Sequence, residues 1–88
     1  LAGRGSTQAS AAYGILTKKG DGGVEITAIA PQSRADRAGL KKGDIIKAVD
    51  GTITENNNAF NDMLKRKQLN EGVQMIIQRG AKIGQFVM

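Results

Sequence analysis

Side chains able to do covalent or acid–base chemistry are scarce in this chain. Its 88 residues include no histidine and no cysteine. That removes the commonest general base and metal ligand, any thiolate nucleophile and any disulfide framework. Ser6, Ser10 and Ser33 carry hydroxyls, but the sequence pairs none of them with a base. The Asp and Glu residues fall into no spacing that resembles a metal cluster. Gly3-Arg4-Gly5 begins like a dinucleotide fingerprint, yet Gln8 stands where the third glycine belongs and no strand precedes it. These residues predict a chain that is not an enzyme by itself and carries no cofactor and no metal.

Charge points to few other ligands. Thirteen Lys and Arg against eight Asp and Glu leave +5, a balance that can favour nucleic acid, anionic lipid or acidic peptides. The basic residues are spread out, with Lys65-Arg66-Lys67 the densest group and Lys41-Lys42 a second pair. That distribution fits a solvated surface. Tyr13, Phe60 and Phe86 are the only aromatic residues, too few for a base-stacking platform. No apolar run approaches the ~20 residues of a membrane span. The expectation is no nucleic-acid partner and no membrane span.

The elements that would position a site follow from periodicity and turn chemistry. Leu1 to Ala12 is rich in Gly, Ser and Ala and reads as a flexible lead-in, leaving residues 13–88 as one domain. Tyr13 to Lys19 suits a strand, broken by Gly20-Asp21-Gly22-Gly23 as a hairpin loop. Val24, Ile26, Ala28 and Ala30 share one parity, with Glu25 and Thr27 on the other, predicting a half-buried strand with those four on one face. Ser33 to Leu40 reads as a short helix, with Ser33 and Asp36 spaced as a capping box and Gly39 as a left-handed stop. Asp44 to Val49 and Thr52 to Thr54 are strands around the Asp50-Gly51 turn.

Asn56-Asn57-Asn58 offers caps for a second helix, on which Ala59, Phe60, Met63 and Leu64 recur at helical spacing. Val73 to Gln78 and Ile83 to Met88 are two further strands joined by Gly80-Ala81-Lys82. The order β, β, short α, β, β, longer α, β, β in so short a chain predicts a compact α+β partial barrel.

The run from Pro31 through Ser33, Ala38-Gly39-Leu40, Gly43-Asp44 and Ile45-Ile46 to Asp50-Gly51 resembles the central signature of bacterial PDZ domains. The likeness extends from Tyr13 to Met88. With the groove strand first, the order is similar to the circularly permuted arrangement of PDZ domains in bacterial proteases. The resemblance implies a five- to six-stranded partial β-barrel capped by two helices. Ile77-Gln78-Arg79-Gly80 and the strand after it resemble the C-terminal end of HtrA (Deg) family serine proteases, whose second PDZ domain this stretch looks like.

That family likeness implies a binding mode. An extended peptide adds as a strand to an exposed sheet edge, and a nest of backbone amides takes its free carboxylate. The family's nest pattern, hydrophobic-Gly-hydrophobic, falls on Ala12-Tyr13-Gly14-Ile15, so the amides of Tyr13, Gly14 and Ile15 are the expected donors. Leu16 and Thr17 continue the groove strand. Tyr13, Ile15 and Thr17 share one face by alternation, and Phe60, Met63 and Leu64 of the second helix are the expected floor and wall of an apolar pocket. The implied partners are peptides or unfolded segments, and neighbouring subunits of an oligomeric parent. The resemblance also implies a periplasmic or envelope setting. A module that only contacts other subunits is the competing expectation.

Overall fold

The structure is a computed structural model that describes residues 9–20, 22–67 and 71–88. It opens with a 3-10 turn over Ala9–Tyr13, so regular structure starts inside the expected lead-in. Residues 1–8 of that segment lie outside the described residues. Six strands follow: β1 (Ile15–Gly20), β2 (Gly23–Ile29), β3 (Ile45–Val49), β4 (Thr52–Ile53), β5 (Gln74–Arg79) and β6 (Lys82–Val87). Two helices, α1 (Arg34–Arg37) and α2 (Asn57–Lys65), complete the domain. All pairings are antiparallel and the order is β1-β2-β3-β5-β6, with β4 pairing β3. The sheet is open, with β1 and β6 at the two ends of this order. No helix among the described residues is long and apolar enough to cross a membrane.

Local chemistry explains most of the boundaries. The Ser33 hydroxyl accepts from the Asp36 amide at 3.2 Å, and the Asp36 carboxylate accepts from the Gln32 amide at 2.9 Å. The acid therefore reaches one residue beyond the position a capping box uses. Gly39, at φ 93°, ends α1 in the left-handed region. Asn56 caps α2 by accepting from the Ala59 amide at 2.8 Å. Asp50 and Gly51, at φ 50° and 84°, make the tight β3–β4 turn.

Two expectations change. Tyr13 does not begin the first strand. Gly14, at φ 86°, separates it from β1, and Tyr13 closes the 3-10 turn. Nor do Val24, Ile26, Ala28 and Ala30 all share one face. The register jumps from Leu16↔Ala28 to Thr17↔Ile26, so Thr27 is an extra residue on β2. A bulge of this kind reverses the alternation beyond it. Val24 and Ile26 are buried, whereas Ala30 is exposed and Ile29 packs on the core instead.

The core lies between the concave sheet face and the helices. Val24, Ile26, Ile46, Val49, Met75 and Ile77 come from the strands, and Phe60 and Leu64 from α2. Ala35 and Leu40 close the end beside α1.

An ion pair between buried Asp44 and exposed Arg79 pins the sheet. Asp44 is 1% exposed and receives Arg79 through two hydrogen bonds, Nε to Oδ1 at 2.8 Å and Nη2 to Oδ2 at 2.7 Å. Its Oδ2 also accepts from the Lys41 amide at 2.9 Å. That pairing of carboxylate and guanidinium satisfies a charge the core does not otherwise tolerate.

Candidate functional site: the open edge of the first strand

β1 pairs with β2 on one side, and no described strand pairs with the other. Which backbone groups face that open side follows from two fixed points. The Gly14 carbonyl accepts from the Ala30 amide at 2.9 Å, and Gly20 pairs with Gly23 where the hairpin closes. The Gly14 carbonyl and the groups of Gly20 are therefore directed toward β2. Antiparallel strands alternate the direction of successive residues, so Leu16 and Lys18 also face β2. Ile15, Thr17 and Lys19 turn their N–H and C=O groups to the open edge.

α2 lies beside this edge, packed on β1 and on the 3-10 turn. Of the sequence-expected pocket residues, Tyr13, Ile15, Phe60 and Leu64 have their side chains wholly within the core, at 2% exposure or less. Met63 is half-buried and packs on the core from outside. It is thus the expected helix residue with reachable surface. Phe60 and Leu64 shape the site from beneath. Arg34 covers the far side of Tyr13, its guanidinium 5.0 Å from the ring centroid. It also donates to the Met88 carbonyl at 3.1 Å and to the Glu71 carbonyl.

The nest is partly engaged. The Gly14 amide donates to the Ala11 carbonyl at 3.0 Å. Of the three expected donors, the Ile15 amide is the one that alternation turns to the open edge. Carboxylate capture by Gly14 requires its turn hydrogen bond to open.

Three buried polar atoms have no hydrogen-bond partner among the described residues: Tyr13 Oη, Thr17 Oγ1 and Asn57 Oδ1. Leaving such a group unsatisfied costs about 1–3 kcal/mol. Thr17 lies on β1 and Asn57 in the first turn of α2, the two elements that flank the edge. In the sequence Asn57 is one of three candidate caps. Asn56 does the capping, which frees the Asn57 side chain for another role. The run of three asparagines, longer than a cap needs, was the available signal.

The basic cluster divides. Lys65 and Arg66 are exposed, whereas Lys67 reaches away to bond Asp50 at 2.6 Å. Among the described residues no three His, Cys, Asp or Glu gather as a metal site requires.

Comparison with known proteins agrees with this arrangement. The PDZ domain family model matches residues 11–87. A protein of Synechocystis sp. named as serine protease HhoA is 31% identical over 58 residues, which are 66% of this chain and 15% of that protein. The HtrA3 PDZ domain bound to a phage-derived ligand, FGRWV, superposes with a TM-score of 0.77 at 20% identity, covering 85% of this chain and 79% of that one. The HtrA-type protease AlgW with a decapeptide gives 0.78 at 15% identity, over 85% of this chain and 27% of that one. An aminopeptidase N family protein of Idiomarina loihiensis gives 0.77 at 21%, over 85% and 13%. The fold is thus shared with domains of quite different parents. With the family model covering nearly all of its described length, this chain belongs to the PDZ domain family.

Proposed function

We propose that the domain captures C-terminal or extended hydrophobic segments of polypeptides by strand addition at β1, and so regulates or feeds an attached protease. The observation that carries this reading is the open edge itself. Ile15, Thr17 and Lys19 turn backbone donors and acceptors outward beside α2, the arrangement an added antiparallel strand needs. The bound peptides of the HtrA3 and AlgW structures support it.

The parent is an HtrA-type serine protease, in which this is the last PDZ domain, set in the periplasm or cell envelope. The match to HhoA, of which the chain spans 15%, supports the serine-protease parent. The catalytic residues belong to the rest of the parent.

A subunit-contact role is the second reading. It is favoured by the complete burial of Tyr13, Ile15, Phe60 and Leu64, which leaves the expected pocket filled by its own walls.

Calorimetric titration with Val-ending peptides, as free acid and as amide, separates the two. Strand addition predicts micromolar binding, about −8 kcal/mol, lost in Thr17→Pro, which removes an outward donor at a strand edge where proline is tolerated. Absence of binding by any such peptide favours the contact module.

A further inference from the structure

At the other end of the sheet order, β6 has no described partner on its outer side. Val73 and Met88 exchange backbone hydrogen bonds at 3.0 and 2.9 Å, and Arg79 pairs with Lys82 where the hairpin closes. The register between these points carries no bulge. Alternation therefore turns Lys82, Gly84, Phe86 and Met88 toward β5 and directs the N–H and C=O groups of Ile83, Gln85 and Val87 outward. Strand edges are ordinarily blunted by proline, bulges or charge. β6 carries a lysine at its first position and none of these beyond it, while Ile83 and Val87 are 66% and 54% exposed.

This outward row is complementary to itself. Let a second copy run antiparallel, with the two-fold axis at Gln85. Gln85 then lies opposite its own counterpart, and Ile83 lies opposite Val87 of the second copy. Every outward residue falls in a hydrogen-bonded pair, and apolar meets apolar. A shift by two residues either way sets one apolar side chain against glutamine and the other beyond the strand.

The opposite face fits the same register. Phe86 of the second copy lies opposite Gly84, at a concavity of about 280 Å³ lined by Ile77, Arg79, Lys82, Gly84 and Phe86 with part of Ile83. The two Phe86 residues are diagonal neighbours, about 7–8 Å apart and within aromatic reach. Lys82 lies opposite Met88, which keeps the two Lys82 residues about 20 Å apart along the strands. That exceeds the screening length of ~8 Å at physiological salt.

We infer that β6 is a self-association edge, at which a second copy of this chain pairs antiparallel about Gln85 and joins two sheets into one. The inference rests on neither function proposed above.

Sedimentation equilibrium of the 88-residue domain from about 20 μM to about 2 mM tests it, with amide spectra over the same range. The expected result is a dimer with Kd on the order of 100 μM, as suits a small interface, and concentration-dependent shifts at Ile83, Gln85 and Val87. Gln85→Pro removes an outward donor and leaves the β5 ladder intact, and should weaken association at least about 10-fold. Ile83→Lys alone and Val87→Glu alone should each weaken it about fivefold. The two changes in one chain set an ammonium opposite a carboxylate on both sides of the axis. They should restore association to within about threefold of the unaltered domain at low salt. Within one copy the two positions are about 13 Å apart, so no effect inside the fold mimics that rescue. Amide shifts unchanged outside β6 show that each variant is folded. A monomer throughout the range, association unchanged in Gln85→Pro, or no rescue in the double variant overturns the proposal.

Discussion

The Cα of Gly14 faces the Ser33 side chain so closely that a β-carbon on Gly14 would fall on Ser33 Cβ and Oγ. The loop at the start of the groove strand is thereby seated against the N-cap of α1. Gly14 also has φ 86°, a conformation that costs other residues about 1–2 kcal/mol. With the clash added, Gly14→Ala is expected to destabilise the domain by about 2–4 kcal/mol in urea unfolding. Adding Ser33→Gly removes the nearest atoms, the next being Ala30 Cβ at 3.4 Å. The double variant is therefore expected to recover part of the loss despite losing the cap. If the two changes are simply additive, the contact is not what makes glycine necessary.

Asp50 and Lys67 give the domain a pH signature. The Lys67 ammonium, helped by the Gln74 amide, holds the Asp50 carboxyl below its usual 3.8. In return Asp50 raises Lys67 above its usual 10.5. A depressed carboxyl contributes stability that is present above the unfolded value and lost as pH falls through the folded one. A raised ammonium contributes stability present below its unfolded value and lost as pH rises through the folded one. The stability difference between the unaltered domain and Asp50→Asn should thus be level near neutrality, shrink as pH falls below 3.8 and shrink again as it rises above 10.5. The effect is small, because Asp50 is 39% exposed and solvent screens the pair. Chemical denaturation at a series of pH values measures it. A difference that grows in acid contradicts the assignment.

Asp44 should behave differently because it is buried. Asp44→Ala removes the acceptor of the Lys41 amide and of two Arg79 hydrogen bonds. The expected cost is about 3 kcal/mol, read from the urea midpoint at unchanged slope. A loss below about 1 kcal/mol means that water replaces these contacts readily.

Phe60 and Met63 separate support from contact on the same helix. Phe60 has no exposed surface, so Phe60→Ala is expected to cost about 3–5 kcal/mol and to leave little folded domain. Met63 is half-buried at the edge of the core. Met63→Ala is expected to cost about 1 kcal/mol of stability and to weaken peptide binding several-fold. Full affinity in Met63→Ala, in a folded domain, places the helix outside the binding surface.

Much of this architecture was legible because its determinants are local. Ser33, Asp36 and Gly39 lie within seven residues and cap one another, and Asp50-Gly51 is a turn by its own dihedral preferences. The face of β5 was readable from Val73, Met75 and Ile77 for the same reason. What could not be read depends on partners distant in sequence. Asp44 and Arg79 are 35 residues apart and look like ordinary surface charges in the chain. The Thr27 bulge arises from the register of β2 against β1, which no property of Thr27 announces. The strand expected to form the groove lies at an open edge of the sheet. Burial of Phe60 and Leu64, and the Gly14–Ala11 hydrogen bond, are outcomes of packing that periodicity does not resolve.

The central claim is that β1 receives a strand on its open side, and amide hydrogen exchange with and without a Val-ending free-acid peptide tests it residue by residue. Leu16 and Lys18 already bond toward β2 and should exchange at nearly the same rate in both samples. The amides of Ile15, Thr17 and Lys19 should exchange fast in the free domain and slow at least about 10-fold when the peptide is saturating. That alternation is the imprint of an added strand. Slowing of all five amides alike, or of none, at a peptide concentration shown to saturate, would contradict strand addition at this edge.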